Sequence, residues 1–522
     1  MLSKLVELVR GLGGAADAVF VSSVPVLSRP RMSRFSICIA RILASAIVQL
    51  VVIGCGPRLN QQDSDASSSD STTALATSED EASLSVSGAP DTSAAGSSES
   101  TSGPDAGDAI IDGDLSHARI GEELSIARDF DGNGFRDVFL SAVLAAPDTD
   151  DVALAAGSPL EPTTLASDLS VGLGGWSLTL SGLVPIGDVD GDGRDDMASP
   201  ARVYFFDPAL DLSEQPGFAL EWNPDCPPLD GALAAVGDFN GDGSQDLLIG
   251  VACTDSTPPE GGAHVVFGRA TQGPFDATMP AGEGATIHAP ADSLGLLGRE
   301  VAGLSDVDGD GLDDIAIGSE AGTYFVRGRA SDAPVEIGDA VVAGEAGLLP
   351  ATSPIDVDGL LDHDGDGRPD AVVVENDAIV VIFGGEALFA GVLEADALAA
   401  AQAATIIRHP PLPAYRSIAA AGDVNGDGAG DLLVGIAFDD ANDIPAGVYV
   451  VLAGPGGEES WGALAEADRV QPVDLAAGGD ELGWAVASAD LDGDGVIDLA
   501  WSAPGSDDAA LDGGRVYLRL SM

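Results

Sequence analysis

Positive charge, histidine, cysteine, aromatic residues and long apolar runs are all scarce in this chain, and each scarcity removes a class of function. The 522 residues carry 22 Lys plus Arg against 85 Asp plus Glu, a formal net charge of −63 at pH 7. A polyanion has no electrostatic route to a phosphate backbone, which excludes nucleic acid as a partner. Aromatic residues make up 5% of the chain and His occurs five times, so the usual stock of imidazole acid–base groups is missing. His117, His264, His288, His363 and His409 share no recurring neighbour, and no H-E-x-x-H, C-x-x-C or G-x-S-x-G pattern is present. The chain is therefore read as a non-enzyme. What is abundant is small and apolar: 68 Gly and a hydrophobic fraction of 45%, with only 20% charged. That composition is not that of a disordered acidic chain; it can build a core of Ala, Val, Leu and Ile.

Six basic residues fall before position 55, the last being Arg41, and an apolar run from Ile42 to Gly54 follows, broken only by Ser45 and Gln49. A basic stretch, a 13-residue apolar segment and small residues before a cut describe an export signal. A spanning helix needs about 20 apolar residues. The run ends Val52-Ile53-Gly54-Cys55, which resembles the lipobox of bacterial lipoproteins and implies a lipidated Cys55 as the mature N-terminus. The alternative is a plain secretory signal with a chance cysteine. Residues 1–54 are thus expected to be the export signal, with Met32 a more ordinary start than Met1. Residues 55–107 read as a tether, because Ser, Asp, Thr, Ala, Gly and Glu dominate and apolar residues are isolated. Asp65-Ala66-Ser67-Ser68-Ser69 matches a metal-dependent adhesion pattern in letters only; a serine-rich tract produces it by chance.

From residue 108 to 522 one pattern recurs seven times: DFDGNGFRD, DVDGDGRDD, DFNGDGSQD, DVDGDGLDD, DHDGDGRPD, DVNGDGAGD and DLDGDGVID, with starts 59, 50, 68, 56, 61 and 67 residues apart. Each copy has Asp at position 1, Asp or Asn at 3 and 5, Gly at 4 and 6, and Asp at 9. Hard cations take six to eight oxygens, and side chains at 1, 3, 5 and 9 with the carbonyl of 7 supply most of that shell. Calcium is the natural occupant, at about seven sites. The first loop offers Asp129, Asp131, Asn133, Phe135 and Asp137; the second Asp188, Asp190, Asp192, Arg194 and Asp196. The third offers Asp238, Asn240, Asp242, Ser244 and Asp246; the fourth Asp306, Asp308, Asp310, Leu312 and Asp314. Asp362, Asp364, Asp366, Arg368 and Asp370 form the fifth, and Asp423, Asn425, Asp427, Ala429 and Asp431 the sixth. The seventh has Asp490, Asp492, Asp494, Val496 and Asp498. The first, third and sixth loops carry one carboxylate fewer, which lowers their expected affinity.

An EF-hand needs Glu at position 12, where these copies have Leu140, Ser199, Ile249, Ile317, Val373, Val434 and Trp501. Short β-branched runs bounded by Gly follow position 9 instead, as in Ile-Ala-Ile-Gly after Asp314, and predict strands buried on both faces. An apolar residue and Gly stand before several loops (Ile120-Gly121, Leu297-Gly298, Leu482-Gly483), and a further strand such as Gly447-Val448-Tyr449-Val450-Val451 follows each. This order resembles the FG-GAP repeat of the integrin α-subunit N-terminal β-propeller over residues 108–522. The resemblance implies an all-β, seven-bladed propeller with a calcium loop between strands 1 and 2 of each blade. Only two strands remain after the last loop, so the outer strand of blade seven is expected from residues 108–114, closing the ring and removing an open edge. Blade five departs most, with Ile355-Asp356-Val357-Asp358-Gly359 replacing the usual lead-in.

Cys226 precedes the first strand of blade three and Cys253 ends its second. In an exported protein a disulfide between them is the expectation and two buried thiols the alternative. The family resemblance implies a surface-tethered, calcium-stabilised adhesion or protein-binding scaffold. It is expected to be monomeric, exported and lipid-anchored to a bacterial membrane, at the outer membrane or cell surface, reaching the membrane only through its lipid. The partner is an unidentified extracellular protein or glycan, docking on the face opposite the metal loops, at loops such as 252–261, 437–446 and 503–513. The alternatives are a carbohydrate-binding lectin-like propeller and a propeller enzyme acting on polysaccharide, since fold does not fix function. The five Trp, including Trp484 and Trp501 in expected strands, form no obvious sugar platform.

Overall fold

The computed structural model describes residues 109–113, 119–122, 124–126, 136–142, 151–155, 163–165, 176–178, 183–207, 215–221, 232–251, 262–269, 275–276, 282–290, 297–350, 354, 356–360, 362–409, 415–437, 444–475, 480–508 and 513–520. All lie within one compact unit, Ser98–Met522. The signal, the tether, Cys55, Cys226, Cys253 and His117 lie outside the described residues. Among the described residues no helix is long and apolar enough to cross a membrane.

The chain is an all-β propeller of antiparallel sheets. Repeat three shows the plan. Its strands Leu233–Gly237, Asp246–Val251, Gly262–Val266 and Gly284–His288 pair in sequence order, each antiparallel to the last. The second strand of repeats two to seven starts at the position-9 Asp of its loop, as in Asp196–Ser199, Asp314–Ser319, Asp370–Val374, Asp431–Ile436 and Asp498–Ala503. These strands are buried along their whole length. Their continuous Val, Ile, Leu and Ala runs therefore face sheets on both sides rather than alternating with solvent. The interfaces between neighbouring sheets are the core. Leu248, Val265, Ile287, Ile315, Ile317 and Tyr324, for example, join repeats three and four.

Six sheets are built from consecutive strands of one stretch of chain, where the repeat count predicts seven blades. The strands of the seventh repeat, Val486–Ala489, Asp498–Ala503 and Arg515–Arg519, instead enter a composite sheet with Ala109–Asp112 from the other end of the described chain. The two ends of the described residues pair antiparallel, Ile110 opposite Tyr517 and Asp112 opposite Arg515. Arg515 holds the junction with an Nη2 bond of 2.9 Å to Asp112 Oδ2.

A fifth, parallel strand borders five of the sheets, and the sequence did not reveal it. In each case it comes from the connection between the third and fourth strands of the next repeat. Phe275–Asp276 lies along Gly217–Glu221, Val335–Glu336 along Gly284–His288, and Gly457–Ser460 along Ala404–Arg408. Gly391–Val392 borders Ala346–Pro350, and Thr163–Leu165 borders the composite sheet. Three of these connections continue into short helices, α1 (Ile337–Ala343), α2 (Ala395–Ala400) and α3 (Trp461–Glu466). The all-β expectation missed them; Ala-rich Ala395–Ala400 and the Ser460 cap, whose hydroxyl accepts the Ala463 amide, are the signals that mark them. Trp461 opens α3 and Trp484 precedes its strand, so of Trp484 and Trp501 only Trp501 lies in one. The irregular lead-in of repeat five does form a first strand, Asp356–Leu360. Burial raises the Asp356 carboxyl well above its usual range and Asp358 to about 7.

Because the core lies between sheets, truncating it should be costly. Leu248→Ala, at a position with 0% exposure, is expected to destabilise by about 2–5 kcal/mol. Val342→Ala, 88% exposed on α1, should stay within about 0.5 kcal/mol. Paired chemical denaturation curves check both.

Candidate metal centres

Six of the seven sequence-predicted loops are described whole, and they share one geometry. In the first, Asp129, Asp131, Asn133 and Phe135 lie outside the described residues and only the buried Asp137 is placed. The position-1 carboxylate caps the turn: Asp188 accepts the amides of Gly191 at 2.7 Å, Asp192 at 3.0 Å and Gly193 at 2.9 Å. The position-3 side chain accepts the amide of position 5, as Asp308 does from Asp310 at 3.1 Å and Asn425 from Asp427 at 2.8 Å. Position 5 accepts in turn from position 7, so that Asp192, Asp242, Asp310, Asp366, Asp427 and Asp494 hold the amides of Arg194, Ser244, Leu312, Arg368, Ala429 and Val496 at 2.8–3.0 Å. Such nested turns need left-handed backbone. Position-4 glycines have φ of 76–79° and position-6 glycines 90–95° throughout the six loops. An added Cβ at Gly193, Gly311 or Gly428 would meet nothing within 4 Å, so glycine is required for its φ and not for space.

Position 9 does two jobs. Its carboxylate is buried in every described repeat, with exposure of 0–1%. One oxygen of Asp196, Asp314, Asp370, Asp431 and Asp498 accepts the amide of position 2, from Val189, Val307, His363, Val424 and Leu491. The other accepts an amide just beyond the third strand: Phe206 to Asp196, Gly268 to Asp246, Gly328 to Asp314, Gly384 to Asp370 and Ala453 to Asp431, at 2.7–3.0 Å. The sequence reading identified this Asp as a ligand and missed its second role, because its partner amides carry no side-chain signature.

Carboxylate oxygens of positions 1, 3 and 9 converge in four loops: Asp188, Asp190 and Asp196; Asp306, Asp308 and Asp314; Asp362, Asp364 and Asp370; Asp490, Asp492 and Asp498. Within each group the atoms lie within 4.8 Å of one another. The loops at Asp238 and Asp423 have Asn240 and Asn425 at position 3. Burial first, and neighbouring carboxylates with it, push Asp196 up to about 8 and Asp246, Asp314 and Asp370 to about 7. Asp490 Oδ1 is buried without a hydrogen-bond partner. A buried, mutually repelling oxygen set of this kind fits a hard divalent cation, which supplies the missing positive charge.

Neighbouring loops are joined. The position-8 amide donates to the position-1 carbonyl of the preceding loop, from Gln245 to Asp188 at 3.3 Å, Asp313 to Asp238 at 3.1 Å and Gly430 to Asp362 at 2.6 Å. Pro369 occupies position 8 of the fifth loop and has no amide to give to Asp306. His363, at position 2, points away from the carboxylates and its Nδ1 donates to Gly430 O at 2.7 Å. Burial lowers its pKa and that of His264, the latter to about 4, so both rings are neutral structural groups.

The FG-GAP repeat model matches residues 482–518, which span the seventh loop and the two strands after it. This segment carries an FG-GAP repeat. Integrin alpha-3 of Mus musculus is 30% identical over 149 residues, 27% of this chain and 14% of the integrin. Integrin alpha-4 of Xenopus laevis is 28% identical over the same shares. The match therefore spans about a seventh of those relatives' length. Among solved structures, BBS1N in its complex with ARL6DN aligns with a TM-score of 0.41 at 11% identity, covering 78% of this chain and 94% of that one. An Agrocybe aegerita lectin that recognises non-reducing terminal N-acetylglucosamine aligns at 0.36 with 17% identity, covering 71% and 89%.

The carboxylate shifts set a pH dependence for the cation-free protein. Position-9 groups with folded pKa near 7–8 and ordinary values near 3.8 bind protons on folding between those limits. The contribution to stability is full at low pH and is lost as pH rises through 7–8. In metal-stripped protein the melting temperature should fall between about pH 4 and pH 8 and level off above that, and saturating cation should flatten the slope; calorimetric scans across this range check it.

Proposed function

We propose that this FG-GAP propeller is a calcium-stabilised, surface-tethered adhesion or protein-binding scaffold and not an enzyme. The observation that carries the reading is the repetition of one loop geometry in all six loops described whole, with Gly φ values agreeing within a few degrees. A catalytic metal needs one site unlike the rest, with an open coordination position and reactive neighbours. Repeated identical sites serve the ring as a whole. Calcium is the chosen ion because the loops offer oxygen alone in a flexible shell, whereas magnesium demands near-ideal octahedral geometry. About seven sites follow from the seven loop sequences. The composite sheet is read as the seventh blade, with Ala109–Asp112 as its outer strand closing the ring. The likeness to integrin α subunits supports an extracellular protein or glycan as partner. Loops 252–261, 437–446 and 503–513, on the side opposite the cation loops in the integrin-like arrangement, are the proposed docking face.

Each site held at ten times its dissociation constant contributes about 1.4 kcal/mol, so seven contribute on the order of 10 kcal/mol, comparable with the stability of a whole domain. Excess chelator should therefore lower the melting temperature sharply, and calcium should restore it better than magnesium. An unchanged melting curve in chelator overturns the calcium reading. Replacing Asp492 and Asp494 by Ala should remove one equivalent of calcium and about 1 kcal/mol of stability, while binding to cell-surface protein and glycan arrays persists at saturating calcium. Loss of all binding, or of a measured turnover, in that folded variant would instead favour an enzyme.

Tethering is proposed on the sequence Val52-Ile53-Gly54-Cys55. The wild-type chain should incorporate labelled fatty acid and fractionate with membranes, and Cys55→Ser should do neither. Equal labelling of the two chains removes the anchor from the model.

A further inference from the structure

Arg327 follows the third strand of repeat four, Gly322–Val326, and immediately precedes Gly328, whose amide binds the position-9 carboxylate of Asp314. The corresponding place in repeats two, three, five and six is apolar: Phe205, Phe267, Phe383 and Leu452. The three Phe side chains are buried in the core. Arg327 turns to the loop instead. Its Nε lies 3.0 Å from Oδ2 of Asp308, a position-3 carboxylate whose side chain is 1% exposed. The guanidinium also packs over the Phe389 ring at 4.7 Å and pairs through Nη2 with Glu386, whose side chain is 80% exposed. A fixed positive charge of the chain's own thus sits against one of three carboxylates that converge at loop 306–314.

We propose that Arg327 is a built-in competitor for the cation of loop 306–314, so that this loop fills with calcium after loops 188–196 and 362–370, which carry the same carboxylates, and depends less than they do on calcium for its shape. The proposal rests on the calcium reading above. An ion coordinated by Asp308 must share or displace the guanidinium and brings two positive charges beside a third. Both effects raise the free calcium needed for occupancy. Glu386, on the solvent side, retains the guanidinium when Asp308 turns to the ion, so the arginine has a place to go. Without calcium the guanidinium offsets part of the carboxylate repulsion. Loops 188–196 and 362–370 have Phe205 and Phe383 at this place and lack that offset.

Hydrogen exchange of the full chain across a calcium titration tests this, reading the peptide over 306–314 against those over 188–196 and 362–370. Its amides at Asp310, Gly311 and Leu312 are held by the loop's own carboxylates and report its closure. The wild-type midpoint for 306–314 should lie about tenfold above the two reference loops, the lower end of what one charge within about 4–6 Å does to a binding equilibrium. Arg327→Met should bring it down to the reference value and reduce protection of 306–314 in chelator. Glu386→Gln, an exposed change that leaves the arginine to Asp308 alone, should raise the midpoint further. Equal midpoints in the wild type, or a midpoint unmoved in Arg327→Met, overturn the proposal while leaving the calcium reading intact. If Arg327→Met does not fold, an unmoved midpoint in Glu386→Gln decides against it. Absence of any calcium response in all three loops removes the calcium reading and the competitor with it.

Discussion

Each blade depends on one buried carboxylate, the Asp at position 9 of its loop. The group opens the second strand, which is buried along its whole length, and its two oxygens accept from two different segments. One holds the start of the cation loop through the position-2 amide, the other the end of the third strand. A carboxylate taken out of water is costly unless its lone pairs are met, and hydrogen bonds to a charged group contribute about 1.5–3 kcal/mol each. The loop, the first turn of the second strand and the exit of the third are thereby tied at one point. The rest of the blade is apolar packing arranged around that point.

The second constraint lies between blades. The connection from third to fourth strand in one repeat runs first along the outer edge of its predecessor, adding the parallel fifth strand, and only then returns to complete its own sheet. Sheet edges that would otherwise face solvent are covered in this way. Among the described residues two sheets have four strands, the one ending in Trp176–Leu178 and the one ending in Val470–Leu475. The composite sheet gains its fifth from repeat one, because Ala109–Asp112 stands where a fourth strand would. Interblade packing and edge strands act together, so the array is more than a chain of independent modules.

The cation loops lie where these two constraints meet. Each is closed internally by nested turns, and three of them are tied to a neighbour through a position-8 amide and a position-1 carbonyl. Closure gathers carboxylates into a small buried volume, which is why burial and mutual repulsion raise their proton affinity. The same concentration of charge is what a divalent ion relieves. In a chain of net charge −63, cations bound at the loops would also reduce the repulsion that opposes compaction.

Much of this was legible in the sequence because the information is local. The nine-residue pattern sets the loop, since Gly at positions 4 and 6 is the residue that reaches φ near 78° and 93° without strain, and Asp or Asn at 1, 3 and 5 caps its own backbone. The apolar run after position 9 sets a strand buried on both faces. Other features depend on groups distant in the chain. The amides of Gly268, Gly328 and Gly384 are backbone groups without a side-chain signal, and they find position 9 only once the third strand has paired. The parallel edge strands at Phe275–Asp276 and Gly391–Val392 are two residues long, too short for any periodicity, and exist because the adjacent blade presents an edge. Arg327 reads in sequence as an unremarkable basic residue after a strand; packing beside Phe389 and Glu386 turns it onto Asp308. Residue type and spacing determined the loops and the second strands, whereas the tertiary structure decided which distant backbone groups and charges meet them, because those contacts form only when separate blades are brought together.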